Sequence, residues 1–243
     1  MIKNFSAVLK NKIFLNEKII YLNFQTTNDF KLEYQAGQYL IAKIPKDNQK
    51  LNRLYSIASY NNDKTSFDLL IEIVDNGLGS NYFKNLNIGE KTEFAGPAGI
   101  FTLKNQKTAK VFLATGTGLA PIKAMIEKLI FDKFSCPFYL FWGIKYKKSL
   151  YFLNEFKNLK NKNKNFDFKI CFSQEKEIKN DENKNFFDLG RVNKCLVDYF
   201  KNKDLIYNDF EYYICGSREI TDSLKNFLIS LNINKNQIFF EKF

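Results

Sequence analysis

A strand-like stretch, VFLAT at 111 to 115 with its first four residues apolar, leads into Gly116-Thr117-Gly118 and then into PIKAMIEKLIF, where Ile122, Met125, Ile126, Leu129 and Ile130 recur at helical spacing. A buried strand joined to a helix by a glycine turn belongs in a parallel sheet covered by helices. Pro121 near the first helical turn fits a helix start, since its ring presets φ and its missing N–H costs nothing there. The alternation continues through PFYLFWGI, FDFKICF, CLVDYF, EYYICG, SLKNFLISL and QIFFEKF, which predicts an α/β domain over residues 106–243. Residues 1–105 read differently. FSAVLK, KIIYLNF, GQYLIAKIP, RLYSIAS and FDLLIEIV are short, rich in branched and aromatic residues, and separated by polar turn clusters, which predicts an antiparallel β-barrel. The polar stretch TLKNQKTAK, 102 to 110, marks the change, and NKNKN at 161 to 165 reads as an exposed loop.

A chain of 243 residues with 45% hydrophobic content, including 26 Phe and 13 Tyr, can bury the cores that two such domains need. It has no histidine, which excludes Ser-His-Asp and Cys-His catalysis and argues against zinc. Cys136, Cys171, Cys195 and Cys215 lack CxxC or cluster spacing, so no metal or iron-sulfur cluster is expected within the chain. The first residues have no signal-peptide core, and no apolar run nears the roughly 20 residues that span a bilayer. Expected are a cytoplasmic location, reduced thiols and no membrane insertion. The net charge of +11 comes from dispersed lysines, with Arg53, Arg191 and Arg218 the only arginines. Such a charge attracts an acidic partner, and without a basic aromatic module it does not indicate nucleic acid.

Two glycine-bearing turns offer phosphate sites. At the start of TGTG the strand's end and a helix dipole would expose amides to a pyrophosphate. In DNGLGSNYFKNL, 75 to 86, Gly77 and Gly79 permit close backbone approach, Ser80 is expected as the N-cap, and Tyr82, Phe83 and Leu86 form the buried face of a short helix. The segment RLYSIAS combines a strand pattern, with Leu54, Tyr55 and Ile57 suited to a half-buried surface, with Arg53 and Ser56. Alternation turns Arg53 and Tyr55 to one face, a cation for phosphate beside a flat ring for stacking.

RLYS at 53 to 56, GLGS at 77 to 80, GPAGIF at 96 to 101, TGTGLAP at 115 to 121, YICG at 213 to 216 and EKF at 241 to 243 stand in the order found in ferredoxin-NADP reductase-like flavoproteins. The chain resembles that family over nearly its whole length, in the form carrying a single FAD and no fused iron-sulfur domain. The resemblance implies a flavin-binding barrel followed by a nicotinamide-dinucleotide domain, FAD as cofactor and NADPH or NADH as co-substrate. It implies that Arg53 pairs with the FAD pyrophosphate, Tyr55 stacks on the isoalloxazine and Ser56 bonds its N5. Leu54, Ile71, Glu72, Ile73, Leu78, Gly79, Ser80, Thr117 and Phe243 complete the implied FAD contacts, with Phe243 covering the ring. The dinucleotide falls to Gly116, Thr117, Gly118, Lys145, Ser173, Arg191 and Cys215, with Cys215 and Glu241 beside the reacting centre. Family members that use NADP commonly carry arginines where this chain has Lys145 and Gln174, and Ser217 replaces a common proline. The activity implied is electron transfer between NAD(P)H and a one-electron carrier, with an acidic ferredoxin or flavodoxin as partner. Reduction of free flavin, or service as a subunit of a larger complex, remains open, as does the oligomeric state.

Overall fold

A computed structural model describes residues 2–105, 107–178 and 181–243. Contacts group Met1–Leu103 and Lys123–Lys128 into one compact unit, and Lys104–Ile122 and Leu129–Phe243 into another. The first unit holds β1 (Lys3–Phe14), β2 (Ile19–Thr26), β3 (Tyr39–Lys46), β4 (Gln49–Ser56), β5 (Ser66–Glu72), helix α1 (Leu78–Asn85) and β6 (Lys91–Ala98). Its strands pair in the order β4-β3-β6-β1-β2-β5, all antiparallel. The sheet curls until a bridge between Ile57 and Leu69 joins the chain past β4 to β5 at the opposite edge. Alternate residues of β2, among them Ile20, Leu22 and Phe24, are fully buried, the period-2 pattern of a sheet wet on one face. Phe24, Phe67, Phe83 and Phe94 meet edge-on or stacked at the centre, so α1 contributes Phe83 to the same core.

The second unit contains β7 (Ala109–Thr115), α2 (Leu119–Phe131), β8 (Phe138–Ile144), α3 (Leu153–Lys162), β9 (Phe166–Phe172), β10 (Phe187–Leu189), α4 (Val192–Asn202), β11 (Phe210–Gly216), α5 (Arg218–Ser230) and β12 (Ile238–Lys242). The order is β10-β9-β8-β7-β11-β12 and every pair is parallel. The chain steps from β7 to β8 on one side, then returns to set β11 on the other. That reversal between β7 and β11 is the switch point at which doubly wound sheets open a crevice for ligands.

Several local expectations are corrected. Ser80 does not cap α1; Gly77 occupies that position without a side-chain cap. The Ser80 hydroxyl instead accepts from the Val74 N–H at 3.1 Å and lies 3.2 Å from the Gly77 carbonyl, tying the first turn of α1 back to the chain leaving β5. Leu54, expected to be half-buried, is 61% exposed, because alternation that turns Arg53 and Tyr55 towards α1 turns Leu54 outward. The NKNKN tract is not wholly loop, since α3 runs through Lys162 and the Asn163 and Asn165 amides bond the Phe134 carbonyl. Lys110, in the stretch read as polar, is fully buried in β7, where it donates to Glu211 at 2.8 Å. Glu211 also accepts from the Tyr213 hydroxyl, so the buried ammonium and carboxylate are both hydrogen-bonded.

Candidate flavin and nicotinamide sites

In the first unit, Arg53, Tyr55 and Gly79 come together. A methyl placed on Gly79 would lie 2.1 Å from the Tyr55 hydroxyl and 3.1 Å from Arg53 Cγ. Both side chains therefore lean over the first turn of α1, where the Leu78, Gly79 and Ser80 amides have no helical partners upstream. The Tyr55 ring meets Phe83 edge-on with centroids 5.1 Å apart, which fixes its plane. Burial raises the Tyr55 phenol pKa to about 12, partly offset by the Arg53 charge, so Tyr55 stays neutral. Arg53 donates to the Asn52 carbonyl at 2.8 Å and remains exposed. Ser56 ends β4 opposite Tyr39. Ile71 and Glu72 end β5, while Ile73 donates its N–H to the Lys18 carbonyl just beyond the strand. The Ser80 bond to Val74 thus holds the 71–73 segment and the helix start in one frame.

In the second unit the switch point is built mainly from backbone. A methyl on Gly118 would lie 2.3 Å from the Cys215 carbonyl oxygen and 2.8 Å from the Gly216 nitrogen. One on Gly216 would lie 2.2 Å from Thr115 Oγ1. The turn between β7 and α2 therefore packs directly on the backbone at the end of β11, while Gly216 of β11 packs on the Thr115 side chain of β7. Gly116 takes φ of +54°, a conformation that glycine adopts at no steric cost. Its carbonyl accepts from Trp142 Nε1 at 3.1 Å and from the Tyr151 hydroxyl at 3.3 Å. Sequence reasoning missed Thr115, Trp142 and Tyr151; the last two come from β8 and the loop after it, so no local pattern pairs them with the turn.

Cys215 is buried at the end of β11, in register with Glu241 on β12. Burial, and secondarily the Glu241 charge, pushes the Cys215 thiol well above its ordinary pKa. It is a neutral, compact surface rather than a nucleophile. The Phe243 N–H donates to the Gly216 carbonyl at 3.3 Å, and the ring of Phe243 is exposed. Ser217 caps α5 by accepting from the Ile220 N–H, which accounts for a serine at that position. Lys145, Ser173 and Arg191 follow β8, β9 and β10 at one edge of the sheet. The Ser173 N–H bonds the Ile144 carbonyl and the Gly190 N–H bonds that of Phe172, so these three exposed residues are brought to the same carboxyl edge.

The chain's residues fit the two groups that such sites would hold. Gly79 lets Tyr55 and Arg53 close over the first turn of α1, and Gly118 lets the turn after β7 close against the Cys215 backbone, the close approaches of chain that a diphosphate-binding turn needs. Among the described residues no group of three His, Cys, Asp or Glu side chains could hold a metal, and no helix is long and apolar enough to cross a membrane.

Residues 6–103 match the oxidoreductase FAD-binding domain and residues 112–226 the oxidoreductase NAD-binding domain. Together the matches take in most of the chain, which belongs to the ferredoxin-NADP reductase-like flavoprotein oxidoreductases. It is an NAD(P)H-dependent oxidoreductase whose cofactor is FAD. A relative, the electron transfer component of toluate 1,2-dioxygenase from Pseudomonas putida, is 27% identical over 242 residues, 98% of this chain and 67% of that protein. Among solved structures, a cytochrome P450 reductase from Amycolatopsis superposes with a TM-score of 0.88 at 20% identity, over 100% of this chain and 70% of the other. A ferredoxin NADP+ reductase from Neisseria gonorrhoeae with bound FAD and NADP gives 0.82 at 17% identity, over 99% of this chain and 98% of the other.

Proposed function

We propose that this chain is an FAD-dependent ferredoxin- or flavodoxin-NADP(+) reductase that moves electrons between NADPH, used in preference to NADH, and a one-electron carrier. The observation that carries this reading is the convergence at the switch point, where Gly118 abuts Cys215 and Cys215 stands in register with Glu241. Direct hydride transfer requires no strong base, which fits a chain with no histidine. Bound FAD supplies the conversion between a two-electron donor and one-electron acceptors.

The chain's own residues bind and align. Arg53 and the amides of Leu78, Gly79 and Ser80 hold the FAD pyrophosphate, Tyr55 stacks on the flavin, and Ser56 donates to its N5. Leu54, Ile71, Glu72 and Ile73 line the cofactor, and the resemblance assigns Thr117 and Phe243 to it as well. Gly116, Thr117 and Gly118 hold the dinucleotide diphosphate, Cys215 packs against the nicotinamide, and Glu241 sets the polarity beside it. Lys145, Ser173 and Arg191 face the 2'-phosphate, where lysine acts as a point charge and arginine can bind two oxygens. The domain assignment follows: 1–105 for FAD and 106–243 for NAD(P)H.

The +11 charge supports an acidic carrier, because complementary charge speeds encounter without a large apolar interface. With NADPH as donor, electron delivery to a ferredoxin or flavodoxin should be fast at low salt. It should then fall steeply as the Debye length shrinks from about 30 Å at 0.01 M to about 10 Å at 0.1 M. Free FMN should be reduced at rates nearly independent of salt. Rapid reduction of free flavin with no turnover of either carrier would replace this reading with a flavin reductase, and no turnover of any acceptor would favour a subunit that needs its complex.

A further inference from the structure

Trp142 and Tyr151 are buried, and both direct a polar atom at one oxygen. The Gly116 carbonyl accepts from Trp142 Nε1 at 3.1 Å and from the Tyr151 hydroxyl at 3.3 Å, and the Leu119 N–H bonds it as well. A carbonyl oxygen has two lone pairs, so three donors converge on an acceptor that one backbone amide already satisfies. The two rings are themselves fixed. Their centroids lie 4.6 Å apart at 66°, Tyr151 meets Phe152 edge-on at 5.2 Å, and Trp142 meets Phe156 of α3 at 6.2 Å. Phe152 opens α3 with φ of +58°, in the left-handed region that bulky residues rarely adopt. The chain thus enters α3 through an unfavourable conformation next to Tyr151, and strain of this kind collects at functional sites.

The consequence falls on the next amide. The Gly116–Thr117 peptide is trans, so its N–H points opposite to its carbonyl. Holding the oxygen on the side of the two rings therefore turns the Thr117 N–H away from them. Donors on a carbonyl also polarise the whole peptide and make the N–H in the same plane a stronger donor. The place where a Gly116 side chain would stand has no atom within 4 Å, so the turn is open there. An oriented, polarised amide just ahead of α2, beside open space, suits a bound anion.

We propose that Trp142 and Tyr151 are positioning residues for the dinucleotide: without touching it, they hold the Gly116 carbonyl so that the Thr117 N–H meets its diphosphate. The proposal rests on the assignment of Gly116, Thr117 and Gly118 to that diphosphate made above. Either donor alone still holds the oxygen, so the two act redundantly. In stopped-flow reduction of the FAD-loaded protein, Tyr151→Phe and Trp142→Phe should each raise the apparent Kd for NADPH about threefold, the loss of one ordinary hydrogen bond. The double variant should raise it about 30-fold, more than the product of the two single effects. The Kd for NADH, which carries the same diphosphate, should rise by the same factors, whereas a loosened loop that displaced Lys145 would penalise NADPH alone. In all three variants the limiting rate should stay within about twofold of wild type, because Cys215 and Glu241 are untouched. Wild type offers a readout that needs no substitution, since Trp142 is the only tryptophan in the chain. NADP+ should change its fluorescence saturably, and adenosine 2'-phosphate, which has no diphosphate, should not. An unchanged Kd in the double variant, a loss confined to NADPH, a limiting rate that falls along with affinity, or Trp142 emission indifferent to NADP+ would overturn the proposal while leaving the dinucleotide site. Wild-type protein reduced by neither NADPH nor NADH would remove the dinucleotide reading itself.

Discussion

The two sites solve the same problem by different means. In the first unit the proposed flavin surface is made by side chains, Arg53 and Tyr55, that lean over a single glycine, and the atom closest to a methyl on Gly79 is the far end of a tyrosine. In the second unit the crevice is made by backbone against backbone, and the atoms closest to a methyl on Gly118 are the Cys215 carbonyl and the Gly216 nitrogen. A side chain can swing away at modest cost, while a packed sheet cannot open without moving several strands. The flavin side should therefore yield gradually and reversibly to substitution, and the nicotinamide side abruptly.

The largest expected effect is Gly118→Ala. Overpacking of this kind costs about 1–3 kcal/mol, and here it would shift the turn proposed to seat the dinucleotide. Flavin reduction by NADPH should slow about 100-fold, near 2.7 kcal/mol, with FAD content unchanged. Stopped-flow absorbance and cofactor extraction would show both. Gly79→Ala should weaken FAD binding about 30-fold by displacing Tyr55. Adding Tyr55→Phe removes the atom at 2.1 Å and leaves the next ring contact at 3.3 Å, so the double variant should bind FAD better than Gly79→Ala alone. No such recovery would mean that the flavin side is as rigid as the other.

Cys215→Ala should lower the limiting rate of flavin reduction about tenfold while changing the NADPH dissociation constant less than twofold. Because burial raises the thiol pKa, the wild-type rate should show no thiolate-dependent break between pH 6 and 9, and iodoacetamide should react slowly. The smallest effect is expected for exposed Arg191→Ala, about a fivefold rise in KM for NADPH with NADH little changed. Equal losses with both dinucleotides would make Arg191 a structural residue.

Much of this contrast was legible in the sequence. Alternation in RLYS placed Arg53 and Tyr55 on one face, and VFLATGTG announced a parallel strand ending in a glycine turn, because both are local periodicities. The function of Ser80 was not legible. A serine in a helix's first turn reads as a cap, and only the path of the chain leaving β5 shows that it bonds Val74. The clamp on Gly116 from Trp142 and Tyr151 and the burial of Lys110 against Glu211 both depend on residues distant in sequence. Local pattern carries no information on such pairings.

The central claim is that a protein without histidine passes hydride directly from a nicotinamide seated at Gly118 and Cys215 to its FAD. Its most direct test is anaerobic single-turnover reduction of the FAD-loaded protein by NADPH deuterated at one or the other C4 position. The account predicts saturable bleaching of the flavin, slowed severalfold by deuterium at one of the two positions and at that one alone. No bleaching by NADPH or NADH, or bleaching indifferent to deuterium at both positions, would contradict it.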